Sequence, residues 1–171
     1  MKIEDVKSVA IIGAGNMGHQ LALLSAMRGY ETTCTDVNSE ILKKAGDFAD
    51  GYLRGRVEKG KLSAEDAEKA RGRLRFTGSL KEAVEKTDYV IEAAVESLEI
   101  KRKLFADLDA FAPPHAILAT NSSRIVSSRI ANATRRPGKV CNLHFFNPAL
   151  VMKLVEVVSA PHCDEDTVAV S

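Results

Sequence analysis

Apolar runs and helical stripes take turns along this chain. Ser8 to Ile12 is a short apolar run that stops at glycine, and from Asn16 to Arg28 the apolar residues Met17, Leu21, Leu24 and Met27 recur every three or four positions. Strand, turn and helix are predicted. Gly29 stands where a left-handed cap closes such a helix, ETTCTD predicts a second, β-branched strand ending at Asp36, and Asn38 caps another helix. The charged stretch from Phe48 to Arg73 predicts a helical excursion after that second strand, broken near Gly60. LRFTG reads as a brief strand, Leu80 to Lys86 as a short helix, and DYVIEAA as a strand apolar enough for a buried parallel position. From Ser97 a further helix carries the stripe Ile100, Leu104, Phe105, Leu108 and Phe111 until Pro113-Pro114 stops it. AILAT is the next strand, Ile125 to Ala133 a helix, RRPGK a turn, VCNLH a strand, and KLVEVVS a last strand after the loop FFNPALVM. Alternation of this kind predicts an α/β fold: a doubly wound, mostly parallel sheet with helices on both faces, in one domain over residues 1–171.

Composition narrows the partners. With 24 basic against 23 acidic residues, the chain has no charge excess to draw it to nucleic acid or to an anionic membrane, and neither is an expected partner. Cys34, Cys141 and Cys163 are odd in number and far apart, which argues against a disulfide framework and a zinc knuckle and for a reducing cytoplasm. MKIEDVK leads into the first apolar run without a leader-type core, and no stretch approaches the ~18 apolar residues of a membrane span. A soluble protein is expected. PHCDED holds metal-ligand residue types, but His162, Cys163 and Asp164 are adjacent, a poor chelate, so no metal is expected.

The first glycine turn carries chemistry. GAGNMG, Gly13 to Gly18, fits G-x-G-x-x-G between a strand and a helix, and Asp36 ends the next strand 23 residues after Gly13. Gly13 permits the tight turn, Gly15 lets the backbone approach a pyrophosphate, and Gly18 allows helix and strand to pack closely. Ala14, Asn16 and Met17 complete the backbone of the cradle, and Asp36 would accept from the ribose hydroxyls of NAD while repelling the extra phosphate of NADP. This is the fingerprint of a Rossmann-type dinucleotide site. FAD proteins share the turn; the short chain and the lack of a second FAD-contact segment favour NAD.

Two polar residues interrupt the apolar tail. Glu156 alternates with Leu154 and Val158 on one face of its strand, so its carboxylate stands between hydrophobes and either points at solvent or wants a partner. If VCNLH and KLVEVVS run side by side, His144 is that partner. A carboxylate on one imidazole nitrogen fixes the tautomer and leaves the other free to take a proton. ATNSS ends a parallel strand where open α/β sheets bind their ligands, so Asn121, Ser122 and Ser123 either reach a ligand or cap the Ile125 helix.

GAGNMG, EAAVESLEIKRKLFADL, ATNSS and above all LHFFNPALVMKLVEVV resemble the L-3-hydroxyacyl-CoA dehydrogenases, including the 3-hydroxybutyryl-CoA enzymes, over essentially the whole chain. The resemblance implies NAD-dependent oxidation of an L-3-hydroxyacyl-CoA to the 3-ketoacyl-CoA, or the reverse. It implies His144 as general base, Glu156 as its orienter, Ser123 on the substrate oxygen, Asn147 positioning nicotinamide and substrate, and Glu96 and Lys101 on the cofactor. The tract RGRVEKGK lies where the family meets the CoA phosphates, which makes Lys59 a candidate contact, although a solvated helix end reads equally well. The family couples this domain to a C-terminal helical domain that walls the acyl pocket and forms much of a homodimer contact. Since the chain stops at Ser171, about where that domain begins, a cofactor domain with little turnover of its own is expected. Ala149-Leu150 and Arg124 depart from the family pattern at the pocket edge. A related dehydrogenase of free 3-hydroxy acids and a non-catalytic NAD-binding module are the alternatives.

Overall fold

A computed structural model describes residues 2–171. Seven strands make one sheet: β1 (Ser8–Ile12), β2 (Glu31–Thr35), β3 (Leu74–Thr77), β4 (Tyr89–Glu92), β5 (Ile117–Thr120), β6 (Val140–Phe145) and β7 (Val155–Val158). Six helices accompany them: α1 (Gly18–Met27), α2 (Ser39–Glu58), α3 (Ala64–Gly72), α4 (Leu80–Val84), α5 (Leu98–Phe111) and α6 (Glu165–Val170). The strand order is β3-β2-β1-β4-β5-β6-β7, with β7 alone antiparallel to its neighbour. Chain direction across the sheet reverses between β1 and β4, and ligands bind outside the carboxyl ends of strands at such a switch point.

Each central strand feeds two cores, because successive side chains point to opposite faces. Val9, Ile11, Ile91 and Ala119 join the packing of α1, α2 and α3, while Ala10, Ile12, Val90 and Leu118 join Phe105 and Leu108 of α5. The doubly wound reading is thus correct, as is the excursion, which is α2 and α3 joined through Gly60 at φ +61°. The Asn38 side chain caps α2 as expected, accepting from Glu40 and Ile41 N–H. Gly29, at φ +101°, closes α1.

One expected element is absent. Ile125 to Ala133 forms no α-helix but two 3₁₀ turns, Ser127–Arg129 and Ala131–Ala133. The cause is Asn142, buried on β6: its Oδ1 accepts from Ser127 N–H at 2.6 Å, and its Nδ2 donates to the carbonyls of Ser122 and Ile125. Groups that a helix would pair with itself are taken by a neighbouring strand. Conversely, α6 near the end of the chain was not expected from the pattern.

Candidate functional site

The glycine turn hangs from β1 and is set by three backbone requirements. Gly13 N–H donates to the Thr35 carbonyl at 2.8 Å, its φ is +96°, and a Cβ there would stand 2.8 Å from the Ala93 carbonyl oxygen. At Gly18 a Cβ would fall 1.7 Å from the Gly13 oxygen, so helix and turn meet in a way only glycine allows. Gly15 differs: beyond its two chain neighbours, no residue reaches within 4 Å of where its Cβ would be. The space above it is open to a ligand. No side chain caps the start of α1 at Met17; His19 N–H turns back to the Gly15 carbonyl at 3.2 Å, and the amides ahead of it stand ready for an anion.

Asp36 helps to build the turn. Its Oδ2 accepts from Ala14 N–H at 2.9 Å and its Oδ1 from Asn38 N–H at 3.0 Å, and each oxygen keeps a second lone pair for ribose hydroxyls. His19 escaped the sequence reading. Its Nδ1 donates to the Gly15 carbonyl at 2.7 Å, and its ring meets the edge of Phe48 at 4.4 Å between centroids. Histidine four residues beyond a turn glycine is a pattern with no signal in sequence alone.

Antiparallel register sets His144 directly opposite Glu156. Nδ1 and Oε2 lie 3.0 Å apart, and because a carboxylate only accepts, Nδ1 carries the hydrogen in the neutral ring and Nε2 is left for other chemistry. The pairing is as expected, and the carboxylate also faces solvent. Glu156 has 56% of its side chain exposed, and Leu154 and Val158 beside it are exposed as well, since β7 is the sheet's edge strand. Its polarity therefore needs no burial to explain it.

The loop after β5 reaches the same edge. Asn121 Oδ1 accepts from Phe145 N–H at 2.9 Å, which ties this loop to the residue after His144. Ser122 Oγ accepts from the N–H groups of Arg124 and Ile125, a capping pattern without the helix, and donates to Glu96. Ser123 is exposed. Asn147, also exposed, accepts at 3.5 Å from Gln20, one turn into α1, so the β6–β7 loop approaches the glycine turn. From β1 to β6 is three strand spacings, roughly 14 Å. A dinucleotide laid across the strand ends bridges that distance.

Lys101 and Glu96 sit beneath this edge in a network that the sequence did not disclose. The Lys101 side chain is 1% exposed; its ammonium donates to Glu92 Oε1 at 2.6 Å and lies 3.5 Å from Glu96 Oε2. Glu92, with none of its side chain exposed, is the residue that pattern reading treated as part of an apolar strand. Lys59 stands apart. It is exposed at the end of α2, a 20-residue helix, about 30 Å along its axis from the start. His162 Nε2 and Cys163 Sγ both turn to the Val140 carbonyl, at 3.0 and 3.1 Å.

Burial works to raise the Glu96 carboxyl, but the Ser122 hydrogen bond and the Lys101 and Arg124 charges outweigh it and hold the group below its ordinary 4.5. Asp88 and Asp109 behave alike: burial opposes, while hydrogen bonds from Lys7, Ser8 and His115 on one and from Arg135 and Arg136 on the other prevail, holding both below 3.8. A depressed carboxyl contributes stability that is present above its unfolded value and lost as pH falls through its folded one. Urea midpoints are therefore expected to hold level down to about pH 5 and to fall from about pH 4 downward. Glu96→Gln is expected to flatten that fall.

An open glycine cradle, an uncapped helix start and a ribose-ready aspartate, all at the switch point, define a dinucleotide-binding domain with a histidine–carboxylate pair beside it. The family model described as "3-hydroxyacyl-CoA dehydrogenase, NAD binding domain" matches residues 8–171, and the chain belongs to that family. Its dinucleotide is NAD, which settles the choice against FAD. The 3-hydroxyadipyl-CoA dehydrogenase of Escherichia coli K12 is 44% identical over 91% of this chain and 32% of that protein. Human mitochondrial hydroxyacyl-coenzyme A dehydrogenase is 38% identical over 95% of this chain and 53% of its own length. Among solved structures, an Escherichia coli 3-hydroxybutyryl-CoA dehydrogenase superposes with a TM-score of 0.92 at 43% identity, over 95% of this chain and 34% of that one. The chain thus spans from a third to about half of these relatives. Among the described residues, no helix is long and apolar enough to cross a membrane.

Proposed function

We propose that the complete enzyme carrying this domain interconverts L-3-hydroxyacyl-CoA and 3-ketoacyl-CoA with NAD. The observation that carries the proposal is the His144–Glu156 pair at 3.0 Å, on the strand-end edge that also presents the glycine cradle. NAD supplies the hydride acceptor, and the protein supplies position and proton transfer. In this reading His144 Nε2 takes the proton of the 3-hydroxyl. Glu156 holds the ring and stabilises it once charged. Ser123 hydrogen-bonds the substrate oxygen, and Asn147 orients substrate and nicotinamide. Glu96 and Lys101 serve the cofactor from below, with Lys59 assigned to the CoA phosphates. The acyl-CoA names of the relatives favour the thioester over a free 3-hydroxy acid.

The exposed apolar side chains of Val151, Met152, Leu154, Val155 and Val158 suit a surface covered in a larger enzyme, where a helical domain completes the pocket and a homodimer forms. Three free thiols fit a cytoplasmic setting. The test is NADH oxidation by the complete enzyme with acetoacetyl-CoA and, in parallel, with free acetoacetate. Turnover of the thioester alone is expected; preference for the free acid overturns the substrate reading, and silence with both favours a binding module.

A further inference from the structure

Glu92 has no part in the function just proposed, yet it occupies the middle of the switch-point edge. Alternation along β4 points it to the α5 face, beside Ile12 on one strand and Thr120 on the other. Ile12 and Val90, on the same face, are buried and apolar. Glu92 Oε1 accepts from Ala94 N–H at 2.7 Å and from Lys101 at 2.6 Å, and its Oε2 accepts from the Thr120 hydroxyl at 2.6 Å. A buried ion pair is weak evidence for stability, since well-packed hydrophobes of similar size often do as well or better. The pair therefore calls for a geometric explanation.

We propose that Glu92 is a positioning residue that couples the loop under the glycine turn to the loop bearing Ser123. This rests on the NAD reading of the site. On one side, the Glu92 carboxylate pins Ala94, and Ala93 and Ala94 are the backbone against which Gly13 packs. On the other, it holds Thr120, whose hydroxyl oxygen accepts from Ser122 N–H at 3.2 Å, while the Glu92 carbonyl accepts from Asn121 N–H at 2.7 Å. Ser122 Oγ closes the circuit by donating to Glu96, whose other oxygen faces Lys101. Each link is charged or hydrogen-bonded and mostly dry, so displacement of one loop is felt by the other. A carboxylate does what an apolar residue there would not: it ties together the two backbones between which a nicotinamide nucleotide would lie.

The test uses Thr120→Val, which keeps the shape and removes the hydroxyl, and Thr120→Ser, which restores it. Amide NMR spectra, melting temperatures and NADH affinities of wild type and both variants are compared. Thr120→Val is expected to move the amide signals of Ala93, Ala94 and Gly13 as well as those of Ser122 and Ser123, and to weaken NADH at least tenfold. Thr120→Ser is expected to recover both. Signals that move only in the Ser122 loop, or a loss of affinity that Thr120→Ser fails to recover, would overturn the coupling. If wild type binds no NADH, the cofactor reading fails, and the amide signals without nucleotide still decide whether the loops are linked.

Discussion

Gly18→Ala is expected to strip the domain of NADH affinity and to lower its melting temperature at once. The added methyl would stand 1.7 Å from the Gly13 carbonyl oxygen, an approach that no side-chain rotation relieves because the backbone fixes Cβ and the oxygen it meets is backbone. Helix and turn must move apart. Overpacking of this kind costs about 1–3 kcal/mol, and for a domain of this length each kcal/mol shifts the melting temperature by about 2–4 °C. Gly15→Ala separates stability from binding, because beyond its chain neighbours its methyl meets no residue within 4 Å and intrudes only where a pyrophosphate would sit. Its melting temperature is expected to stay that of wild type while NADH affinity falls by roughly tenfold or more, about 1.4 kcal/mol. Thermal denaturation and calorimetric titration of both variants check this. Equal affinity in Gly15→Ala and wild type would remove the glycine turn from the binding site.

His144→Gln carries the second large effect. In the complete enzyme, turnover of acetoacetyl-CoA is expected to fall by about 10²–10⁴, the range of a lost general acid–base, while NADH affinity changes little. Glu156→Gln is expected to fall in the same direction, because an amide nitrogen can donate to Nδ1, and the ring then carries its hydrogen on Nε2, where the proton acceptor should be. Steady-state rates at saturating NADH distinguish these outcomes. Undiminished turnover in His144→Gln would separate the dyad from the chemistry.

Much of this domain was legible because its signals are local. Strand, glycine turn and helix at Gly13 to Met27, the second strand to Asp36 and the capped α2 all follow from periodicity, φ requirements and capping. The pairing of His144 with Glu156 was legible too, since two strands joined by a short loop tend to lie side by side. What sequence missed depends on contacts between distant segments. The failed helix after Ile125 turns on Asn142, 17 residues further along, which takes up the backbone groups a helix needs. Glu92 looked like one polar residue at the end of an apolar strand, and only Lys101, arriving from α5, and Thr120, from the adjacent strand, reveal why it is there. Whether Glu156 faces solvent or a partner stays open in the sequence, because alternation says which residues share a face but not whether that face is covered; the side chain does both.

A crystal structure of the NADH complex tests the central claim most directly: that hydride and proton leave one substrate carbon–oxygen unit for two acceptors on one sheet edge. The pyrophosphate is predicted on the amides of Gly15 to Gly18, the ribose on Asp36, and the nicotinamide ring beside the free Nε2 of His144. A nicotinamide lodged away from the His144 edge, or a dinucleotide bound elsewhere on the domain, would contradict it.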